Sequence, residues 1–177
     1  MTPERRQQDF ADAGIDPGRL LSEGIDLINS VAGVPGVSFG LHLCRGNNRG
    51  YYVGEGGYEA IARQVFGRAR NFALLLLEYD DWRSGSFEAL REVPSGKGIV
   101  LGLISTKRTE LEAAAAVAAR IDEAARYYPH EQLAISTQCG FGTVWEGNPL
   151  SVEIEAAKLK LVADIAHRVW PQGPTTL

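Results

Sequence analysis

Four short apolar runs, each followed by a segment with helical spacing, constrain this chain more than any other feature. Residues 37–44 (VSFGLHLC), 72–79 (FALLLLEY), 98–105 (GIVLGLIS) and 133–138 (LAISTQ) have the length and apolar content of strands. Helical spacing is read at residues 19–34, which end on Pro35-Gly36, then at 58–67, 86–93, the alanine-rich 110–128, and 151–170. Strands that alternate with helices are joined by right-handed crossovers and lie parallel, so the expected class is α/β. The run at 72–79 is almost continuously apolar, the pattern of a strand covered on both faces. Periodicity leaves two architectures open. One is a small doubly wound sheet; the other is part of a (β/α)₈ barrel, which needs about 250 residues and of which this chain supplies half.

With 45% hydrophobic and 23% charged residues, the chain has the make-up of one globular domain over residues 1–177. A polar lead-in at 1–17 and a tail at 171–177 are expected to be flexible. The net charge of −4, without any cluster of Lys and Arg, argues against a nucleic-acid partner, because phosphate recognition needs a basic surface. The longest aliphatic run falls far short of the roughly 20 residues of a membrane span, so no membrane partner is expected. The start, MTPERRQQ, lacks the apolar stretch of a secretory signal, which points to the cytoplasm. In a reducing compartment Cys44 and Cys139 are expected as thiols or metal ligands, not as a bridge.

Polar residues gather at the C-terminal ends of the expected strands: His42 and Cys44 on the first, Glu78 on the second, Cys139 just after the fourth. In parallel α/β folds that edge carries the sites. Residues two apart on a strand point the same way, so His42 and Cys44 can share one ion, and Cys, His and Glu are zinc's usual donors. Each also has a plainer reading: the cysteines as small buried apolar groups, His42 as a hydrogen-bonded core imidazole, Glu78 as the partner of an arginine. Spacing alone leaves both open. Asn47, Glu59, Asp80 and Arg83 are candidates to orient substrate or support the ligands, although for Glu59, Asp80, Asp81 and Arg83 a solvated ion-pair network is the favoured reading. The glycine-rich stretches at 46–50 and 56–57 fit no phosphate loop and read as a lid or turn. His130 and His167, beside helices, are expected to be exposed and structural.

Several segments together resemble a known family. His42-Leu43-Cys44-Arg45-Gly46-Asn47, Gly56-Gly57-Tyr58-Glu59, Leu77-Glu78-Tyr79-Asp80-Asp81, Arg83-Ser84-Gly85-Ser86-Phe87-Glu88, Leu101-Gly102-Leu103-Ile104-Ser105-Thr106-Lys107, Gln138-Cys139-Gly140-Phe141-Gly142 and Ala157-Lys158-Leu159 are similar, in order, to the C-terminal part of the cobalamin-independent methionine synthases. The short single-barrel members are the best fit. The resemblance implies a (β/α)₈ barrel, of which this chain holds strands five to eight, and a catalytic zinc on His42, Cys44, Glu78 and Cys139. It implies methionine biosynthesis by methyl transfer to a thiol of homocysteine type. A free thiol, with a pKa of about 8.5, is only a few per cent thiolate at pH 7, whereas a coordinated one is deprotonated. Glu78, the sole oxygen donor, is the ligand expected to exchange as substrate arrives.

Two departures from the family pattern qualify what the resemblance implies. The first half of the barrel, which in the family holds much of the amino-acid recognition, has no counterpart here. Two open strand edges then call for a partner, either a second copy of this chain or a separately encoded N-terminal half. In addition, folate-dependent members carry a histidine at the end of the seventh strand, and residues 102–106 offer no imidazole. A reduced folate leaves only when protonated, so the methyl donor stays open between a folate, a corrinoid and another carrier. Two competing functions are a non-catalytic zinc-binding or scaffolding subunit and a zinc hydrolase. Two thiolates and a carboxylate acidify bound water poorly, and no general base stands out, which disfavours the hydrolase.

Overall fold

Residues 3–173 are described in a computed structural model of the chain. Two helices, α1 (Pro3–Asp12) and α2 (Pro17–Val31), precede β1 (Gly40–Leu43), followed by α3 (Ala62–Val65), β2 (Leu74–Glu78), β3 (Gly98–Ile104), α4 (Ala114–Ala124), β4 (Leu133–Thr137) and α5 (Val152–Val169). Among the described residues there are also three short 3₁₀ turns, at Trp82–Ser84, Phe87–Glu92 and His130–Gln132. Asp16 caps α2, its carboxylate accepting from the Gly18 and Arg19 N–H groups at 2.8 and 3.2 Å, and Pro17 follows where a missing N–H costs nothing.

The strands form one sheet in the order β1-β2-β3-β4, every pair parallel. This decides between the two architectures. A doubly wound sheet reverses its strand order at a switch point, whereas here each strand adds to the same side of the last, which is how a barrel wall is wound. Register then sorts the side chains. Leu75, Leu77, Ile99, Leu101, Leu133 and Ile135 face the helices and are buried in one core with Phe66, Phe87, Val117, Ile121 and Ile165. On the other face, Gly40 and His42 are exposed while Leu74, Leu76, Val100, Ala134 and Ser136 are half-buried. The expected strand at 72–79 is therefore covered by helices on one face alone, and the second face is the concave inner wall of an arc.

Several elements differ from the sequence expectation for identifiable reasons. The first strand starts at Gly40 instead of residue 37, where Leu74 begins to pair with it. Segment 58–67 keeps only the single turn Ala62–Val65, because Tyr58 is drawn into the core to bridge two strands. Residues 87–92 wind as 3₁₀. The alanine-rich helix begins at Ala114 instead of residue 110, since Glu110 and Glu112 are occupied otherwise: Lys158 Nζ donates to the Glu110 carbonyl at 2.7 Å and pairs with Glu112 at 3.1 Å. In the lead-in, expected to be flexible, α1 forms and Gln8 bonds Asp12 at 2.7 Å one turn on. The tail's residues 174–177 lie outside the described residues. His130 is half-buried against Trp170, with ring centroids 5.4 Å apart, and His167 is exposed.

Candidate metal centre

His42, Cys44, Glu78 and Cys139 stand at or just past the C-terminal ends of their strands. His42 lies on the inner face of β1 and Cys44 follows it, two residues on, by the same alternation. Cys139 leaves β4 at the opposite edge of the sheet. Its placement depends on Gly102 of β3, where a Cβ would lie 2.6 Å from the Gln138 Cα, so any other residue would push that segment away. Gln138 is fixed from the other side: Thr106 donates from its N–H and hydroxyl to Gln138 Oε1 at 2.7 and 3.0 Å. Asn47 Nδ2 donates to the same hydroxyl at 2.9 Å, and Asn148 Nδ2 to the Thr106 carbonyl at 2.8 Å.

The donor atoms of His42, Cys44 and Cys139 all lie within 4.8 Å of one another. His42 Nε2 is 3.7 Å from Cys139 Sγ. Zinc–sulfur and zinc–nitrogen bonds of about 2.3 and 2.0–2.1 Å at a tetrahedral angle require a separation of about 3.6 Å. The group therefore fits a zinc ion, and its soft thiolate and imidazole donors suit that metal. Burial, with neighbouring Cys44 adding to it, pushes the Cys139 thiol up to about 12, while Lys107 opposes the shift. A metal bound there displaces this proton. A cavity of about 310 Å³ runs from His42 and Cys139 along Leu76, Ser136 and Gln138 on the inner face.

Glu78, fully buried at the end of β2, is not one of that group. Its Oε2 accepts the Arg45 N–H at 2.6 Å, and its Oε1 is 2.8 Å from Lys107 Nζ and 3.7 Å from Arg83. Lys107 also lies 3.0 Å from Asp80. Arg83 pairs with Asp81 and stacks on the Tyr52 ring at 3.9 Å. Asp80 is 6% and Arg83 5% exposed, so the solvated network expected from sequence is instead a buried one. Burial raises the Asp80 carboxyl above its ordinary range, opposed by Ser105 and Lys107. Glu59 stands apart, accepting from the Ser86 N–H and hydroxyl at 2.9 and 3.0 Å. It sits beside Gly85, whose φ of 71° and close approach to Gly57 leave no room for a side chain. In the stretch 46–50, Arg49 and Gly50 both have positive φ and Asn48 pairs with Tyr51, making a tight turn.

Residues 72–167 match the family described as cobalamin-independent synthase, catalytic domain. The chain belongs to this family. Glu78 and Cys139 fall within the matched segment, whereas His42 and Cys44 precede it. Two proteins of Bacillus subtilis (strain 168), the uncharacterized YxjG and YxjH, are each 48% identical to the chain over 131 residues. That alignment covers 73% of this chain and 34% of either relative. Among solved structures, a protein assigned as a vitamin-B12-independent methionine synthase from Listeria monocytogenes superposes with a TM-score of 0.68 at 31% identity, over 89% of this chain and 43% of its own. A B12-independent methionine synthase from Shewanella sp. W3-18-1 shares the fold, with a TM-score of 0.70 at 20% identity over 88% and 45%. The chain thus spans about a third of its Bacillus relatives and under half of the solved chains, the portion that makes half a barrel.

The sequence does not single out the residues that hold this cluster of strand ends in shape. Lys107 is the chief of these. The signal for it is indirect: two acids, Glu78 and Asp80, end one strand, and buried acids need a cation from a neighbouring strand end. Tyr58 is another, its hydroxyl donating to the Leu43 carbonyl at 2.6 Å and accepting the Glu78 N–H at 2.7 Å, so that it ties the ends of β1 and β2 together.

Proposed function

We propose that this chain is the zinc-holding half of a methyltransferase that passes a methyl group to a thiol of homocysteine type. The observation that carries the proposal is the three-donor group His42, Cys44 and Cys139, matched to tetrahedral spacing and placed at the strand ends of a family member. A zinc ion bound there supplies a lowered thiol pKa, so that a substrate sulfur is nucleophilic at neutral pH. The protein's part is to hold the metal with His42, Cys44 and Cys139 while Glu78 stands beside them. The cavity along Leu76 and Ser136 gives the substrate chain an apolar approach. The open inner face calls for a complementary βα half, and a second copy and an N-terminal half-barrel are the two ways to supply it.

Native mass spectrometry of the full chain tests the metal assignment. One zinc per chain is expected, lost in Cys139→Ser; no zinc, or equal zinc in both proteins, overturns it. Methyl transfer to homocysteine, assayed with and without a candidate N-terminal half, tests the chemistry. Zinc retention without transfer under either condition replaces the enzyme by a zinc-binding module.

A further inference from the structure

Lys97 stands just before β3, and Arg70 to Phe72 just before β2, at the end of the sheet opposite the metal centre. The lysine is 9% exposed, and its ammonium donates to the Phe72 carbonyl at 2.5 Å and to the Arg70 carbonyl at 3.3 Å. Lys107 and Lys158, whose ammonium groups are also enclosed, each meet an acid, Glu78 at 2.8 Å and Glu112 at 3.1 Å. Lys97 has no ion pair among the described residues, and burial lowers its pKa with no acid to oppose the shift. Its charge is therefore answered by carbonyl dipoles alone, and the two carbonyls take two of its three protons.

A cavity of about 500 Å³ opens beside this lysine, lined by Arg70, Asn71, Ser95 and Gly96 among others and by no acidic residue. Arg70 is exposed, and its guanidinium also makes no ion pair among the described residues. The walls are set in advance. Asn71 donates from its N–H to Asn29 Oδ1 at 3.2 Å and from Nδ2 to the Asn29 carbonyl at 2.8 Å. The Tyr128 hydroxyl, 2.9 Å from both the Pro94 and Lys97 carbonyls, holds the turn in which Gly96 takes a φ of 87°. We propose that this cavity binds the phosphate group of a small molecule, with Lys97 as its enclosed charge and Arg70 at its rim. A phosphate carries close to two negative charges at pH 7 and accepts hydrogen bonds on every side. It therefore matches two cations and the Ser95 hydroxyl better than a flat, singly charged carboxylate does. The volume leaves room for more than the phosphate itself, within the range of small-molecule pockets. A ligand at these N-terminal strand ends leaves the C-terminal ends free, so the proposal does not rest on the zinc reading.

Isothermal titration of the full chain with inorganic phosphate at pH 7, at an ionic strength held constant with chloride, tests the site. Saturable binding of one phosphate per chain is expected. Lys97→Met and Arg70→Gln are each expected to weaken it by about tenfold or more, the size of effect that a charge-assisted hydrogen bond carries. Lys160→Gln, which removes an exposed lysine of α5 paired with Asp164 at 2.6 Å, is expected to leave it unchanged. No saturable binding, equal affinity in Arg70→Gln and wild type, or an equal loss in Lys160→Gln overturns the proposal. Succinate binding as tightly as phosphate overturns the phosphate assignment. Glycerol 3-phosphate binding more tightly than inorganic phosphate supports a phosphate ester as the ligand, and equal binding supports free phosphate. If Lys97→Met does not fold, acetylation of the wild-type chain by acetic anhydride, read by peptide mass spectrometry, takes its place. Saturating phosphate is expected to slow acetylation of Lys97 about tenfold and to leave that of Lys160 unchanged, whereas no slowing at Lys97, or equal slowing at both, overturns the proposal.

Discussion

Tyr58→Phe isolates the hydroxyl that links the ends of β1 and β2. The ring packs against Phe66 and Tyr79, with centroids 5.5 and 5.3 Å away, and Arg45 lies over its face at 4.3 Å. Phenylalanine keeps that volume, so no cavity term arises. What is lost is the pair of bonds at 2.6 and 2.7 Å, to the Leu43 carbonyl and from the Glu78 N–H. Each of the two buried backbone groups left without its partner costs about 1–3 kcal/mol, which gives a destabilisation of about 2–6 kcal/mol in total. With a urea slope of about 2 kcal/mol per M, the unfolding midpoint falls by about 1–3 M. Tyr79→Phe is the control, because the Tyr79 hydroxyl makes only a long bond of 3.4 Å to the Ser86 carbonyl. Its removal is expected to cost less than about 1 kcal/mol. Urea unfolding followed by circular dichroism compares the two. Equal losses, or a Tyr58→Phe protein within about 0.5 kcal/mol of wild type, would refute the account of Tyr58 as a strand tie.

Two further outcomes follow from the same geometry. Gly102→Ala puts a methyl group 2.6 Å from the Gln138 Cα, so it is expected to cost about 1–3 kcal/mol and to weaken metal retention by displacing Cys139, read by thermal melting and metal content. Burial pushes Tyr58 up to about 12 and raises Tyr79 further. A folded-state pKa above the unfolded value of about 10 gives stabilisation that is complete below pH 10 and lost as pH rises toward 12. Phenolate absorbance is therefore expected to show Tyr58 and Tyr79 ionising together with alkaline unfolding, and ordinary titration of both before the fold is lost counts against their burial.

The fold was legible because hydrophobic pattern and order along the chain are local properties. The four strands read from apolar runs all form, the first two trimmed at both ends and the last two by one residue at the C-terminal end, and their parallel sense follows from the crossovers between them. What periodicity could not supply was the strand order, which depends on winding. At the site, alternation on β1 was enough to place His42 beside Cys44, and the end of β4 was enough for Cys139. The partners of Glu78 were not accessible in the same way. Lys107 stands 29 residues away and reaches Glu78 only because β2 and β3 are neighbours in register. Likewise, Asp80 and Arg83 read as surface charges until Lys107 and the turn at Trp82–Ser84 enclose them.

The proximity of His42 to Cys139 is itself evidence of curvature. His42 lies on the first strand and Cys139 just past the end of the last, three interstrand steps away, and in a flat sheet those steps of 4.7–4.9 Å separate the backbones by about 14 Å. Yet the side-chain atoms stand 3.7 Å apart. Side-chain length covers part of the gap, and the remainder must come from the sheet curling toward its inner face. Small residues there, Gly40 and Gly102 with Ala134 and Ser136, let that face become concave, while the leucines and isoleucines of the outer face hold the helices. An ion gripped by His42, Cys44 and Cys139 would then tie together two edges that are 97 residues apart in the chain. Metal retention and curvature thus depend on each other: flattening the arc pulls the donors apart, and losing the ion removes a tie across its mouth.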